Sequence, residues 1–203
     1  MSHIALIGAS GGAGSRILKE LSDRGHTVTA IARHPEKIAS LPNVTAKQGD
    51  ALDKDALVAL FKGHDAVVSA VKFGSSDPTT LIAAVKTAGV KRYLVVGGAG
   101  SLEIAPGQRL IDQPDFPDAY RPEASRGATF LDLLKKEKDL DWSFLSPSAE
   151  FVPGQRTGTF RLGKDALLSN DKGSSISFED YAVALVDEIE NPAHSRQRFT
   201  VGY

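Results

Sequence analysis

The stretch Ile4-Ala5-Leu6-Ile7-Gly8-Ala9-Ser10-Gly11-Gly12-Ala13-Gly14, followed by Ile17, Leu18 and Leu21 at helical spacing, decides how the whole chain is read. Four apolar residues form a buried strand, the glycines a tight turn, and the spaced aliphatics one face of a helix. Glycine suits such a turn because some positions need positive φ and because a Cβ would hold the backbone away from a bound phosphate. Unpaired N–H groups and the dipole at the helix start favour an anion there. Three spaced glycines alone say little. Between a strand and a helix near the start of an alternating chain, they form the dinucleotide-binding arrangement, and Gly8, Ser10, Gly11, Gly12, Ala13 and Gly14 become candidate cofactor-binding residues. The alternative is a tight turn that binds nothing.

Outward from that turn, short β-branched runs alternate with helix-period segments. Strands are expected at 4–7, 27–32, 44–47, 66–70, 93–96 and 142–145, each apolar enough to be covered on both faces. Helices are expected over 14–24, 53–62, 78–88 and 120–138, with a half-helix near 35–39. This pattern predicts an α/β fold of Rossmann type: a doubly wound, mostly parallel sheet with helices on both faces. After Pro147 the reading gives a hairpin (157–162 with 166–168), a helix from Phe178 to Ile189 capped by Ser177 with Asp180, and a last strand near 198–201. No linker or repeat interrupts the chain, so residues 1–203 read as one domain with a small substrate-covering portion at about 147–203. The long segments 97–118 and 147–158 would leave the carboxyl ends of strands, the edge where open α/β sheets bind ligands.

Composition narrows the partners. Lys+Arg 24 against Asp+Glu 25 gives a net charge of -1, which argues against nucleic acid or an anionic membrane as partner and leaves a small-molecule substrate. Monomer and homodimer both stay open. The absence of cysteine excludes disulfides, thiolate metal sites and a thiol nucleophile. With no basic-then-apolar leader at the N-terminus, a cytoplasmic protein is expected. The five histidines show no metal-ligand spacing, so no metal site is expected.

Cofactor selectivity is read at the end of the second strand, where an acid would hold the ribose 2′-OH of NAD and an arginine the 2′-phosphate of NADP. Here that strand ends Ala30-Ile31-Ala32-Arg33-His34. Arg33 therefore predicts NADP(H) over NAD(H), and Arg16 could add a second charge; both could instead be solvated surface groups.

Together with Gly49-Asp50, Ser69-Ala70-Val71 and Val96-Gly97-Gly98-Ala99-Gly100-Ser101, these features resemble an atypical short-chain dehydrogenase/reductase. The closer likeness is to a bacterial NAD(P)H-binding group similar to flavin/biliverdin reductases and NmrA-like proteins. The resemblance implies that Asp50 and Ala51 lie beside the adenine and that Ala70 and Val71 line the adenosine channel. Asp50 could equally cap the following helix. The resemblance also makes Gly97, at the end of that strand, and Pro147, where related enzymes turn backbone toward the nicotinamide, candidate cofactor-binding residues; Pro147 could equally be a strand-terminating proline. Ser101 and Tyr120 occupy positions of the family's catalytic serine and tyrosine. The lysine four residues after the tyrosine is replaced by Ala124, and a phenol of ordinary pKa, about 10, is a poor base at neutral pH. Arg121, adjacent on the helix, points away from Tyr120.

Three functions follow as expectations. One is NADPH-dependent hydride transfer to a conjugated acceptor such as a flavin or quinone, whose delocalised product can take its proton from water. The second is an NADP(H)-binding regulator without turnover. The third, a sugar-nucleotide epimerase or dehydratase, needs the absent lysine and a larger C-terminal domain.

Overall fold

The computed structural model describes residues 1–203. In chain order the elements are β1 His3–Ile7, α1 Gly12–Asp23, β2 Thr27–Ala32, β3 Val44–Gln48, α2 Lys54–Phe61, β4 Ala66–Ser69, α3 Pro78–Thr87, β5 Arg92–Val96, β6 Glu103–Ala105, β7 Gln108–Arg109, α4 Arg121–Lys136, β8 Asp141–Pro147, β9 Glu150–Val152, β10 Arg161–Gly163, β11 Ser175–Ser177, α5 Phe178–Glu190 and β12 Gln197–Gly202. Eight strands form the main sheet in the order β10-β12-β8-β5-β4-β1-β2-β3. Every neighbouring pair is parallel except β10 with β12. From β1 the chain winds to β2 and β3 on one side and to β4, β5 and β8 on the other, so the strand order reverses between β1 and β4. Crossover chirality and helix packing bring the ligand crevice to such a reversal, at the carboxyl ends of the strands.

Side-chain alternation along the strands builds two cores. Ile4, Leu6, Val68 and Leu94 pack with Ile17, Leu18 and Leu21 of α1 and Tyr181 and Leu185 of α5. On the other face, Ala5, Ile7, Val67, Tyr93 and Val95 meet Leu57 and Phe61 of α2, Leu81 and Val85 of α3 and Leu131 of α4. Asp53 caps α2 and Asp77 caps α3, each carboxylate accepting an N–H three residues on.

Three expectations are corrected. The hairpin of 157–162 with 166–168 does not form: β10 instead pairs with the outer edge of β12, Leu162 opposite Val201, and Ala166 makes only an isolated bridge to Glu103. An open strand edge offers a whole ladder of backbone partners, which a local hairpin around Lys164-Asp165 does not. Strand β3 is not covered on both faces, since Thr45 to Gln48 are all exposed. Between β2 and β3 only a single 3-10 turn, Pro35–Lys37, stands where a covering helix would be. Short strands β6, β7 and β9 fall in segments read as loops; two or three residues are too few to show a period.

Candidate functional site

Two cavities open along the carboxyl edge. The first, about 210 Å³, lies where β1, β2 and β4 end, and is lined by Gly8, Ser10, Gly11, Arg33, Asp50, Ala51, Ala70 and Val71 among the expected cofactor residues. Gly12, Ala13 and Gly14 form the first turn of α1 beneath it. Gly8 has φ +87°, and a Cβ there would stand 2.5 Å from the Ala70 carbonyl oxygen. A Cβ on Gly14 would stand 2.0 Å from the Gly8 carbonyl oxygen, so these two glycines let strand, turn and helix close on each other. Gly11 differs: its Cβ position meets nothing nearer than the Gly8 oxygen at 3.3 Å. The Gly11 N–H folds back to that same oxygen at 3.0 Å, and no side chain caps α1. The first N–H groups of the helix are thus left for another acceptor.

The charged residues around this cavity divide sharply. Arg33 is exposed at the end of β2, and its guanidinium has neither an ion-pair nor a hydrogen-bond partner, although its backbone oxygen accepts from Gln48. Arg16 does not supply the second charge: its Nε donates to Glu179 Oε1 at 2.9 Å and its guanidinium lies over the Phe178 ring, so it ties α1 to α5. Asp50 does not cap α2, because Asp53 does; one Asp50 oxygen accepts from the Leu52 N–H at 3.0 Å, and the residue faces the cavity. Lys72 and Ser75 also line it, and sequence reasoning missed both. Both lie in the loop after β4, whose register no periodic pattern fixes.

The second cavity, about 690 Å³, lies over the ends of β5 and β8 under the 97–118 segment. Gly97, Pro147 and Tyr120 line it together with Phe73, Phe116 and Phe151. The loop carrying Val71, Lys72 and Phe73 separates the two cavities. Glu123 clasps that loop from α4, accepting the Phe73 and Gly74 N–H groups at 2.6 and 2.8 Å, while Arg126 donates to the Gly74 oxygen at 2.9 Å. Arg121 pins the 97–118 segment by donating to the carbonyls of Ile111 (2.7 Å) and Phe116 (3.0 Å), with its guanidinium over the Phe116 ring.

The structure does not unite the expected catalytic pair. Tyr120 stands at the mouth of the second cavity, 68% exposed, whereas Ser101 is buried outside its lining. The Ser101 hydroxyl accepts from Arg198 at 3.2 Å, and Arg198 is itself paired with Asp165 at 2.7 Å. Ser101 thus ties β12 to the loop after β5, outside the cavity lining where its position suggested it. Where the family's lysine would stand, Ala124 packs against Gly100, whose Cβ would come within 2.8 Å of the Ala124 methyl. The other nearby phenol, Tyr181, donates to the Leu145 oxygen at 2.7 Å, and burial pushes its pKa up, which keeps it neutral and structural.

A reversed parallel sheet, a glycine turn at the reversal and a crevice beside it define a Rossmann-type nucleotide-binding protein. The chain belongs to the NAD(P)H-binding family, whose model matches residues 8–192. It is 44% identical to the uncharacterized protein YwnB of Bacillus subtilis, over 98% of this chain and 97% of that one. A solved structure from Bacteroides thetaiotaomicron, provisionally assigned as an epimerase, is 46% identical with a TM-score of 0.94, covering 99% of this chain and 96% of that one. Another, from Streptococcus pneumoniae and provisionally assigned as an NADH-flavin reductase, is 39% identical with a TM-score of 0.82, covering 100% and 99%. No helix is long and apolar enough to cross a membrane.

Proposed function

We propose that this protein is an NADPH-dependent reductase that delivers hydride to a small, conjugated, flavin- or quinone-like acceptor seated in the 690 Å³ cavity. The observation that carries the reading is the adjacency of two different cavities across one loop. One has a glycine turn and a free guanidinium; the other has aromatic walls, a lone phenol and no lysine. The first fits a nicotinamide dinucleotide: Gly11 leaves room for a pyrophosphate at the uncapped start of α1, and unpaired Arg33 suits a 2′-phosphate. Asp50, Ala51, Ala70 and Val71 would bound the adenosine. When bound, the cofactor supplies the hydride chemistry itself. What remains for the chain is to hold both molecules in register and keep water from the reacting faces. Phe73 and Pro147 would do this from opposite sides of the cavity, and Tyr120 would orient the acceptor without serving as its base.

An epimerase, the provisional assignment of the Bacteroides relative, would by the family's pattern use a tyrosine activated by lysine, and Ala124 packed on Gly100 stands where that lysine would be. Steady-state oxidation of NADPH with flavins, quinones and aldehydes tests the proposal. Turnover with at least one flavin or quinone and none with simple aldehydes is expected. Cofactor binding with no acceptor reduced would overturn it in favour of an NADP(H)-dependent regulator.

A further inference from the structure

The second cavity carries a charge signature that its apolar walls do not require. Its lining includes two ionisable carboxylates, Asp115 and Glu123, and no lysine, arginine or histidine. Glu123 is saturated by the Phe73 and Gly74 N–H groups. Asp115 is exposed and makes no ion pair or side-chain hydrogen bond, so it presents a free negative charge to whatever enters. The arginines of the surrounding elements are all engaged, and the one unpaired cation nearby, Lys72 beside Phe73, lines the first cavity and not this one. Arg109 is paired with Asp112 at 2.8 Å, Arg121 holds the Ile111 and Phe116 carbonyls and Asp118, and Arg126 holds Gly74. A bound phosphate needs charge-assisted donors, and an anion here would meet the Asp115 carboxylate with no cation in the cavity lining to offset it.

We propose that this cavity selects conjugated acceptors lacking anionic groups, such as riboflavin or an uncharged quinone, and discriminates against phosphorylated ones such as FMN, with Asp115 as the residue that sets the discrimination. The inference rests on the reductase reading for the identity of the cavity as the acceptor site. The ring faces of Phe73, Phe116, Phe151 and Tyr120 hold the planar system that both flavins share. Selection therefore falls on the side chain of the flavin, where the two molecules differ only by phosphate.

The test is a titration of riboflavin and of FMN into NADP⁺-loaded protein, followed by quenching of flavin fluorescence. Riboflavin should bind about tenfold tighter than FMN at low ionic strength, and the gap should narrow with added salt, since repulsion between exposed charges is screened. Asp115→Asn should narrow the gap and Asp115→Lys should close or reverse it, each changing riboflavin affinity far less than FMN affinity. FMN binding as tightly as riboflavin to the wild-type protein would overturn the inference. A gap indifferent to both substitutions, or no binding of either flavin, would do the same. Preferred binding of riboflavin with no oxidation of NADPH would instead remove the reductase reading and leave the charge selection standing.

Discussion

Arg33 leaves the end of β2 with no carboxylate to pair it, and its neighbours around the first cavity are mostly small or apolar. A guanidinium in that position gains a partner only when an anion arrives, which is the physical content of the proposed NADP preference. Arg33→Ala should weaken NADPH by about 1.5–3 kcal/mol, roughly ten- to hundredfold in Kd, and leave NADH nearly unchanged. Calorimetric titration of both cofactors decides it, and equal losses would remove Arg33 from the 2′-phosphate site. Tyr120 makes the opposite case. Exposed and without a lysine beside it, its hydroxyl has no activating partner, so Tyr120→Phe should keep most of kcat and raise KM modestly. A loss of about a hundredfold in kcat at constant KM, the range expected of general acid–base help, would make the phenol a working acid. The position of Arg33 and of the glycine turn beside the first cavity was legible because each lies at a fixed offset from a strand end. Ser101 has the family's offset, but its hydroxyl is engaged by Arg198, nearly a hundred residues away, a contact no local pattern encodes.

At the level of elements, the strands that bear the site were legible to within a residue or two, since buried parallel strands are continuous apolar runs. The loops over them were not. The 97–118 segment hides a small β6–β7 hairpin and a 3-10 turn, and it is held over the cavity both by Arg121 gripping two of its carbonyls and by the Leu110 and Ile111 N–H groups donating to Leu102 and Gly100. If that grip shapes the acceptor site, Arg121→Ala should speed amide exchange across residues 110–117 and raise the acceptor KM, with NADPH affinity unaltered. Unchanged exchange in that segment would show that packing alone holds it. At the other end of the site, the Ser177 cap was anticipated, with its oxygen accepting the Asp180 N–H at 3.0 Å. The destination of the Asp180 carboxylate was not: fully buried, it accepts from Thr157, Gly158 and the Tyr203 hydroxyl, binding the 153–160 strap to α5. No local pattern encodes partners more than twenty residues apart.

Across the whole molecule, the two cores follow from period-two alternation in β1, β4 and β5, and the sheet order from the alternation of strands and helices. What the sequence hides at this scale is the set of long-range ion pairs. Glu20, buried on α1, holds Arg24 of its own helix and Arg156 of the strap at 2.8 and 2.7 Å. Hydrogen bonding from Arg156, then from Arg24, outweighs burial and lowers the Glu20 pKa below its ordinary 4.5. A carboxylate whose pKa is lower in the folded state adds stability that is complete above about pH 4.5 and lost as pH falls through the folded value. Arg156→Ala should therefore cost about 1 kcal/mol or less at pH 7, because Arg156 is half exposed, and the deficit should shrink below pH 4. Urea unfolding at several pH values measures it, and a deficit independent of pH would assign the loss to packing.

The central claim, that the two cavities bring a reduced nicotinamide to a conjugated acceptor, is tested most directly by anaerobic single-turnover reduction of riboflavin with NADPH deuterated separately at each face of C4. A chain that fixes the cofactor against the acceptor should transfer hydride from one face only. The rate should then slow for one labelled cofactor and be unchanged for the other. Absence of flavin reduction, or equal slowing by both labels, would contradict the account.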